Sequence, residues 1–142
     1  MVEHNFTQEP YRTCYEKHNS SDVNNQARMC IYQCYYDAIG MISGGEKILL
    51  GKYHAYRDSL EPPLREAFAH ALKVCAKITA QVITHLAAKR QTFKCSPIAY
   101  VFNRCLSEVC LVNCPPDRWM NSSLCDELAL KLKQKLGPGI LL

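Results

Sequence analysis

Nine cysteines in a chain of 142 residues place the strongest constraint on how this sequence can fold. They are spread along most of its length, at positions 14, 30, 34, 75, 95, 105, 110, 114 and 125. Such a cysteine content in a small domain is typical of proteins from oxidising compartments, where disulfides stabilise the fold. The sequence therefore predicts a secreted, extracellular protein that is held together by disulfides.

Two other uses of cysteine fit the sequence less well. The pairs Cys30-x3-Cys34 and Cys110-x3-Cys114 approach zinc-ligand spacing, but both lie in apolar segments without the Gly-rich turns of zinc knuckles. A nucleophilic cysteine needs a base and an orienting group, and none of the five histidines stands in a recognisable catalytic setting. We therefore expect no metal, no cofactor and no catalytic residue. A small helical hydrolase, the enzyme alternative, would need a paired nucleophile and base.

Length and composition predict one domain over residues 1–142. Hydrophobic residues make up 48% and charged residues 21%, and no apolar run approaches the ~18 residues of a membrane span, so no stable membrane insertion is expected. The net charge of +4 is spread along the chain, which argues against nucleic acid as a partner. Residues 1–13 are polar and are predicted to be mobile, whereas 137–142 form an apolar C-terminal tail.

Helical spacing of apolar residues dominates the rest of the chain and predicts an all-α fold. Five helical segments are expected, over residues 25–42, 49–60, 63–86, 98–112 and 123–136. Gly44-Gly45 should end the first, while Pro63 and the pair Ser96-Pro97 suit the starts of the third and fourth.

The cysteine spacing resembles that of insect odorant-binding proteins of the Plus-C class. The pattern is Cys14-x15-Cys30-x3-Cys34-x40-Cys75-x19-Cys95-x9-Cys105-x8-Cys114-Pro115-x9-Cys125, and it covers residues 14–125. Its most specific parts are the C-x3-C helix, the x8 interval and the proline directly after Cys114. The resemblance implies about six helices, knit by disulfides around an apolar ligand pocket.

The resemblance also implies a disulfide pairing. Three core bridges are expected, Cys14–Cys34, Cys30–Cys105 and Cys75–Cys114, with Cys95–Cys125 as the additional bridge of the class. Cys110 departs from the pattern and is expected to be unpaired. Its place in an apolar helix favours a buried, inert thiol, and an intermolecular link in a homodimer is the alternative.

The implied function is reversible carriage of small apolar volatile molecules, such as odorants or pheromones, through extracellular fluid to a receptor. Bulky residues on the predicted buried stripes are the candidate pocket lining: Tyr53, Tyr56, Phe68, Leu72, Ile98, Val101, Phe102, Leu106 and Val109. For each of them, ordinary core packing is the alternative, because sequence does not separate a cavity wall from a packed core.

A second reading keeps the fold but gives it no open cavity. Such a protein would act through surface contacts with an olfactory receptor or another carrier.

Two further hypotheses concern regulation. The tail Ile140-Leu141-Leu142 could cover the pocket mouth or dock on a second subunit, and protonation of histidine near pH 5 to 6 could release the ligand.

Overall fold

The computed structural model describes residues 8–18 and 25–113, and 76% of these residues are helical. Within them the chain forms five helices and one short antiparallel hairpin. In chain order the elements are α1 (Gln8–His18), α2 (Asn25–Ala38), β1 (Ile42–Ser43), β2 (Lys47–Ile48), α3 (Leu50–Asp58), α4 (Pro62–Ala88) and α5 (Ile98–Val112). The predicted helical character is confirmed for this part of the chain. The helix expected over 123–136 and the tail 137–142 lie outside the described residues.

Helix α2 ends at Ala38, four residues earlier than predicted. Gly40 takes a left-handed conformation with φ of +75°, and the backbone N–H of Met41 donates to the carbonyl of Tyr36 at 2.9 Å. This is the usual geometry of a glycine-capped helix end. The chain then leaves the helix as strand β1, in which Ile42 pairs with Ile48 of β2. A two-residue strand is too short to show alternation in sequence, which is why the hairpin was not predicted.

Helices α4 and α5 begin close to where the sequence places them. Two prolines open α4, where their missing N–H groups cost no helical hydrogen bond. Helix α5 starts at Ile98, whose N–H donates to the hydroxyl of Ser96 at 3.3 Å. Both helices agree with the predicted ranges to within two residues.

Helix α1 was not predicted, and it includes residues 8–13 of the segment expected to be mobile. Its sequence is polar, since Cys14 is the only buried residue on it whose side chain is described. The helix is attached to α2 by the Cys14–Cys34 disulfide and by an edge-to-face contact between the rings of Tyr11 and Tyr35, with centroids 5.5 Å apart. A disulfide and one aromatic contact thus hold α1 against α2. Because the helix has no apolar stripe, its sequence did not reveal it.

All five described helices and the hairpin contribute residues to the hydrophobic core, and α4 against α5 is the most extensive helix contact. The largest fully buried side chains are Ile42, Tyr53, Phe68, Cys75, Phe102, Asn103, Leu106, Val109 and Cys110. Most of them are apolar, so their burial stabilises the fold by removing hydrocarbon from water.

One hydrogen-bonded polar pair, Tyr53 and Asn103, is buried with these side chains. The phenol of Tyr53 donates to Oδ1 of Asn103 at 2.8 Å, and Nδ2 of Asn103 donates to the carbonyl of Ala99 at 2.9 Å. Burial raises the pKa of Tyr53 well above its ordinary value, an effect larger than the opposing effect of its hydrogen bond to Asn103. Tyr53 therefore remains a neutral donor throughout the physiological range.

We expect Tyr53→Phe to lower the free energy of unfolding by about 1–2 kcal/mol, because it leaves a buried amide oxygen without its donor. The double variant Tyr53→Phe, Asn103→Leu should lower the free energy of unfolding by less than the sum of the two single changes. It removes both partners, so neither is left buried without a hydrogen bond. Urea denaturation of the four proteins measures this coupling. Strict additivity would show that the bond contributes nothing.

Candidate functional site

Three disulfides link the described helices. They join Cys14 to Cys34, Cys30 to Cys95 and Cys75 to Cys105, with Cα–Cα distances of 5.7, 5.1 and 5.7 Å. The predicted Cys14–Cys34 bridge is confirmed. The predicted bridges Cys30–Cys105, Cys75–Cys114 and Cys95–Cys125 are wrong, because Cys30, Cys75, Cys95 and Cys105 are bonded to other partners.

Cys30 bonds to Cys95 because its face of α2 lies against the connection between α4 and α5. Gln26, Cys30 and Gln33 lie along this face at helical intervals. The side-chain oxygen of Gln26 accepts from the backbone N–H of Lys94 at 3.2 Å, and that of Gln33 accepts from the N–H of Ser96 at 2.7 Å. The disulfide sits between these two hydrogen bonds. We call this set of three links the α2 clamp.

Cys75 bonds to Cys105 because α4 and α5 pack directly against each other. Cys75 and Cys105 both belong to the hydrophobic core, where their side chains meet across the helix contact. Cys110 is fully buried on α5, as predicted for a cysteine in an apolar helix. Cys114 and Cys125 lie outside the described residues.

An open groove of about 410 Å³ lies between the hairpin, the start of α3, the second half of α4 and the start of α5. Its lining residues are Glu46, Ile48, Leu50, Ala76, Thr79, Ala80, Ile83, Thr84, Ile98 and Phe102. Two of them adjoin the bridge that joins α4 to α5, since Ala76 follows Cys75 and Phe102 lies one turn before Cys105. The disulfide therefore fixes the separation of two groove walls.

Two of the nine predicted lining residues, Ile98 and Phe102, border this groove. Ile98 is half-buried, whereas Phe102 is also fully buried in the core. Tyr56 and Val101 are half-buried elsewhere. The remaining five are buried in the core: Tyr53, Phe68, Leu72, Leu106 and Val109. For these five the structure shows the core packing that the sequence left open as an alternative.

Sequence reasoning missed the principal wall of the groove, which is one face of α4. Ala76, Thr79, Ala80, Ile83 and Thr84 recur at intervals of three and four residues, so they share a face. Four of the five are alanine or threonine. The search for bulky apolar residues passed over them, although small side chains are what leave room for a groove.

The groove wall contains one unusual polar atom. Thr79 is 4% exposed, and its hydroxyl oxygen is buried with no hydrogen-bond partner among the described residues. Thr84, on the same face, donates its hydroxyl to the carbonyl of Ala80 at 2.8 Å, which is the usual arrangement for a helical threonine. Buried polar groups are rarely left unpaired in folded proteins, and the Thr79 hydroxyl is such an exception among the described residues.

Other kinds of site were sought in the same residues. Over 8–18 and 25–113, no cluster of three or more His, Cys, Asp or Glu side chains is placed to hold a metal ion. No described helix is both long and apolar enough to cross a membrane. His18, His54, His70 and His85 fall within the described part of the chain, and the groove lining given above includes none of them.

Comparison with protein-family models, with curated proteins and with solved structures finds no match for this chain.

Proposed function

We propose that this protein reversibly binds small apolar molecules in the groove between the hairpin, α4 and α5. The observation that carries the proposal is the groove itself, whose volume of about 410 Å³ lies within the ~300–1,000 Å³ typical of small-molecule sites. Ile48, Leu50, Ile83 and Ile98 offer it an apolar lining. Each Å² of hydrocarbon that a ligand buries there contributes about 25 cal/mol to binding.

The biological setting that we propose is an extracellular carrier similar to the Plus-C odorant-binding proteins, which would deliver odorants, pheromones or related molecules to receptors. The cysteine spacing and a helical fold with three disulfides support this proposal. The pairings Cys30–Cys95 and Cys75–Cys105 differ from those that the resemblance implies. These two pairings count against the resemblance, so the groove rather than the cysteine spacing carries the proposal.

The direct test is titration of the oxidised protein with an apolar fluorescent reporter, followed by displacement with terpenoid, aromatic and long-chain volatiles. We expect saturable, displaceable binding in the micromolar range, because an open groove buries only part of a ligand. Reduction should abolish binding, since it releases the bridge that joins the walls at Ala76 and Phe102. Absence of binding to any panel member, with the helical circular dichroism signal intact, would overturn the proposal.

Failure of that titration would favour the second candidate, a protein that acts through surface contacts with a receptor or another carrier. The supporting observation is a pair of stacked tyrosines on α1, Tyr11 and Tyr15, which are 40% and 45% exposed with ring centroids 6.4 Å apart. Exposed aromatic side chains are enriched at protein interfaces.

A further inference from the structure

The connection between α4 and α5 begins with the pair Lys89-Arg90, the only place in the sequence where two Lys or Arg residues are adjacent. All of residues 87–92, which surround this pair, are exposed. From Lys89 to Pro97 the chain belongs to no helix or strand. Exposed irregular segments of this kind are where folded proteins are most readily cut by proteases.

The backbone at Arg90 is unusual for an arginine. Its φ is +53°, a left-handed conformation that is usually taken by glycine at the end of a helix. The N–H of Arg90 donates to the carbonyl of Ala87 at 3.0 Å, and the N–H of Gln91 donates to the carbonyl of Leu86 at 3.3 Å. Because a side chain is less stable than glycine in this conformation, the last turn of α4 opens more readily than a glycine-ended helix would.

Local opening of the backbone distinguishes this pair from the other basic residues of α4. An endoprotease binds several consecutive residues in an extended form, and an intact helix does not offer that form. Lys73 and Lys77 are exposed as well, but they lie inside the helix, so a cut there requires several turns to unwind. At Lys89-Arg90 only the frayed end of the helix has to open.

We propose that Lys89-Arg90 is a processing site, at which an endoprotease specific for paired basic residues hydrolyses the peptide bond between Arg90 and Gln91. One water molecule is consumed in this step. Arg90 gains a terminal carboxylate, and Gln91 gains a terminal amine. The step is separate from ligand binding in the groove, and it gives the protein a two-chain form.

Two disulfides would hold the two chains together after the cut. Cys30–Cys95 and Cys75–Cys105 each join a residue before Arg90 to a residue after it. The extensive contact between α4 and α5 also spans the cut. The helical fold should therefore persist. The cut opens one closed ring of the cross-linked chain, so the unfolded state gains conformational freedom and the two-chain form should unfold at a lower urea concentration.

The test treats the folded, oxidised chain with a purified subtilisin-type endoprotease specific for paired basic residues, and intact mass follows the reaction. Without reductant we expect a single product, heavier than the parent by one water molecule. With reductant it should separate into residues 1–90 and 91–142. Arg90→Gln should abolish the cut. Lys94→Gln is the matched control, because it removes an exposed charge from the same connection but leaves the pair intact, and it should be cut at the parental rate.

Secretion from animal cells that contain or lack such an endoprotease tests whether the cut accompanies secretion. We expect the linked two-chain form from the first cells and the intact chain from the second. Resistance of the folded chain to the purified enzyme, when the reduced and denatured chain is cut, would overturn the proposal. Cleavage of Arg90→Gln at the parental rate, or an intact chain from both kinds of cell, would also overturn it. None of these results bears on reporter binding, which tests the groove.

Discussion

Replacing Cys30 and Cys95 together by alanine should lower the free energy of unfolding by roughly 4 kcal/mol. This bridge spans 65 residues, the longest separation among the three described, and loop entropy makes longer closures more stabilising. The Cys14–Cys34 bridge spans 20 residues, so its removal should cost about 3 kcal/mol by the same reasoning. Urea denaturation of the two double variants compares them directly. A smaller effect for Cys30–Cys95 than for Cys14–Cys34 would contradict this ranking.

The single variant Cys95→Ala tests the pairing itself. It should expose the thiol of Cys30 to alkylation under mildly denaturing conditions without reductant, and peptide mapping would locate the label. Labelling of another cysteine instead, such as Cys125 of the predicted Cys95–Cys125 bridge, would mean that Cys95 had not been bonded to Cys30. The parent protein, treated identically, provides the background for both cysteines.

Gly45→Ala should lower the free energy of unfolding by about 2–3 kcal/mol, for two separate reasons. Gly45 has a φ of +74°, a left-handed conformation that costs an alanine about 1–2 kcal/mol. A Cβ at this position would also lie 2.5 Å from Nε2 of Gln33. Gln33 would have to move, and its hydrogen bond to the backbone of Ser96 in the α2 clamp would be lost at a cost of about 1 kcal/mol.

Gly44→Ala is the matched control for this prediction. Gly44 has a φ of +61°, so alanine meets the same backbone penalty, but a Cβ there would have no atom within 4 Å. The difference between the two variants, about 1 kcal/mol, isolates the contact with Gln33. Thermal or urea unfolding measures it, and equal effects of the two substitutions would show that the clamp does not depend on this contact.

The sequence predicted the helices that carry a strong apolar stripe and missed the elements that do not. Helix α5 begins and ends at the predicted residues, because Ser96-Pro97 precedes it and Phe102, Cys105 and Val109 recur at helical intervals on its buried face. Helix α1 is polar and depends on the Cys14–Cys34 bond, so periodicity did not reveal it. Helix α2 was predicted to continue to residue 42, before Gly44-Gly45. It ends earlier because Gly40 already takes the left-handed conformation.

The disulfides and the groove were harder to predict, because both depend on how helices are placed in three dimensions. The spacing of the cysteines does not show that Gln26 and Gln33 form hydrogen bonds with the connection between α4 and α5. These hydrogen bonds place the connection against the face of α2 that carries Cys30. The groove depends on small side chains such as Ala76 and Ala80, whereas the sequence search favoured large ones. Bulky residues such as Phe68 fill the core, and small residues beside them leave space.

The central claim is that small apolar molecules bind in the groove, and blocking its wall tests this claim most directly. Ala80 is exposed and lines the groove, so Ala80→Phe should fill the site without disturbing the core. Ala55 is an exposed helical alanine on α3 that is not among the lining residues, and Ala55→Phe makes the same chemical change there. We predict that Ala80→Phe lowers affinity for the apolar reporter at least tenfold and that Ala55→Phe leaves it unchanged. Reporter binding that survives Ala80→Phe at full affinity, in a protein with intact helical signal, would contradict the assignment of this groove as the binding site.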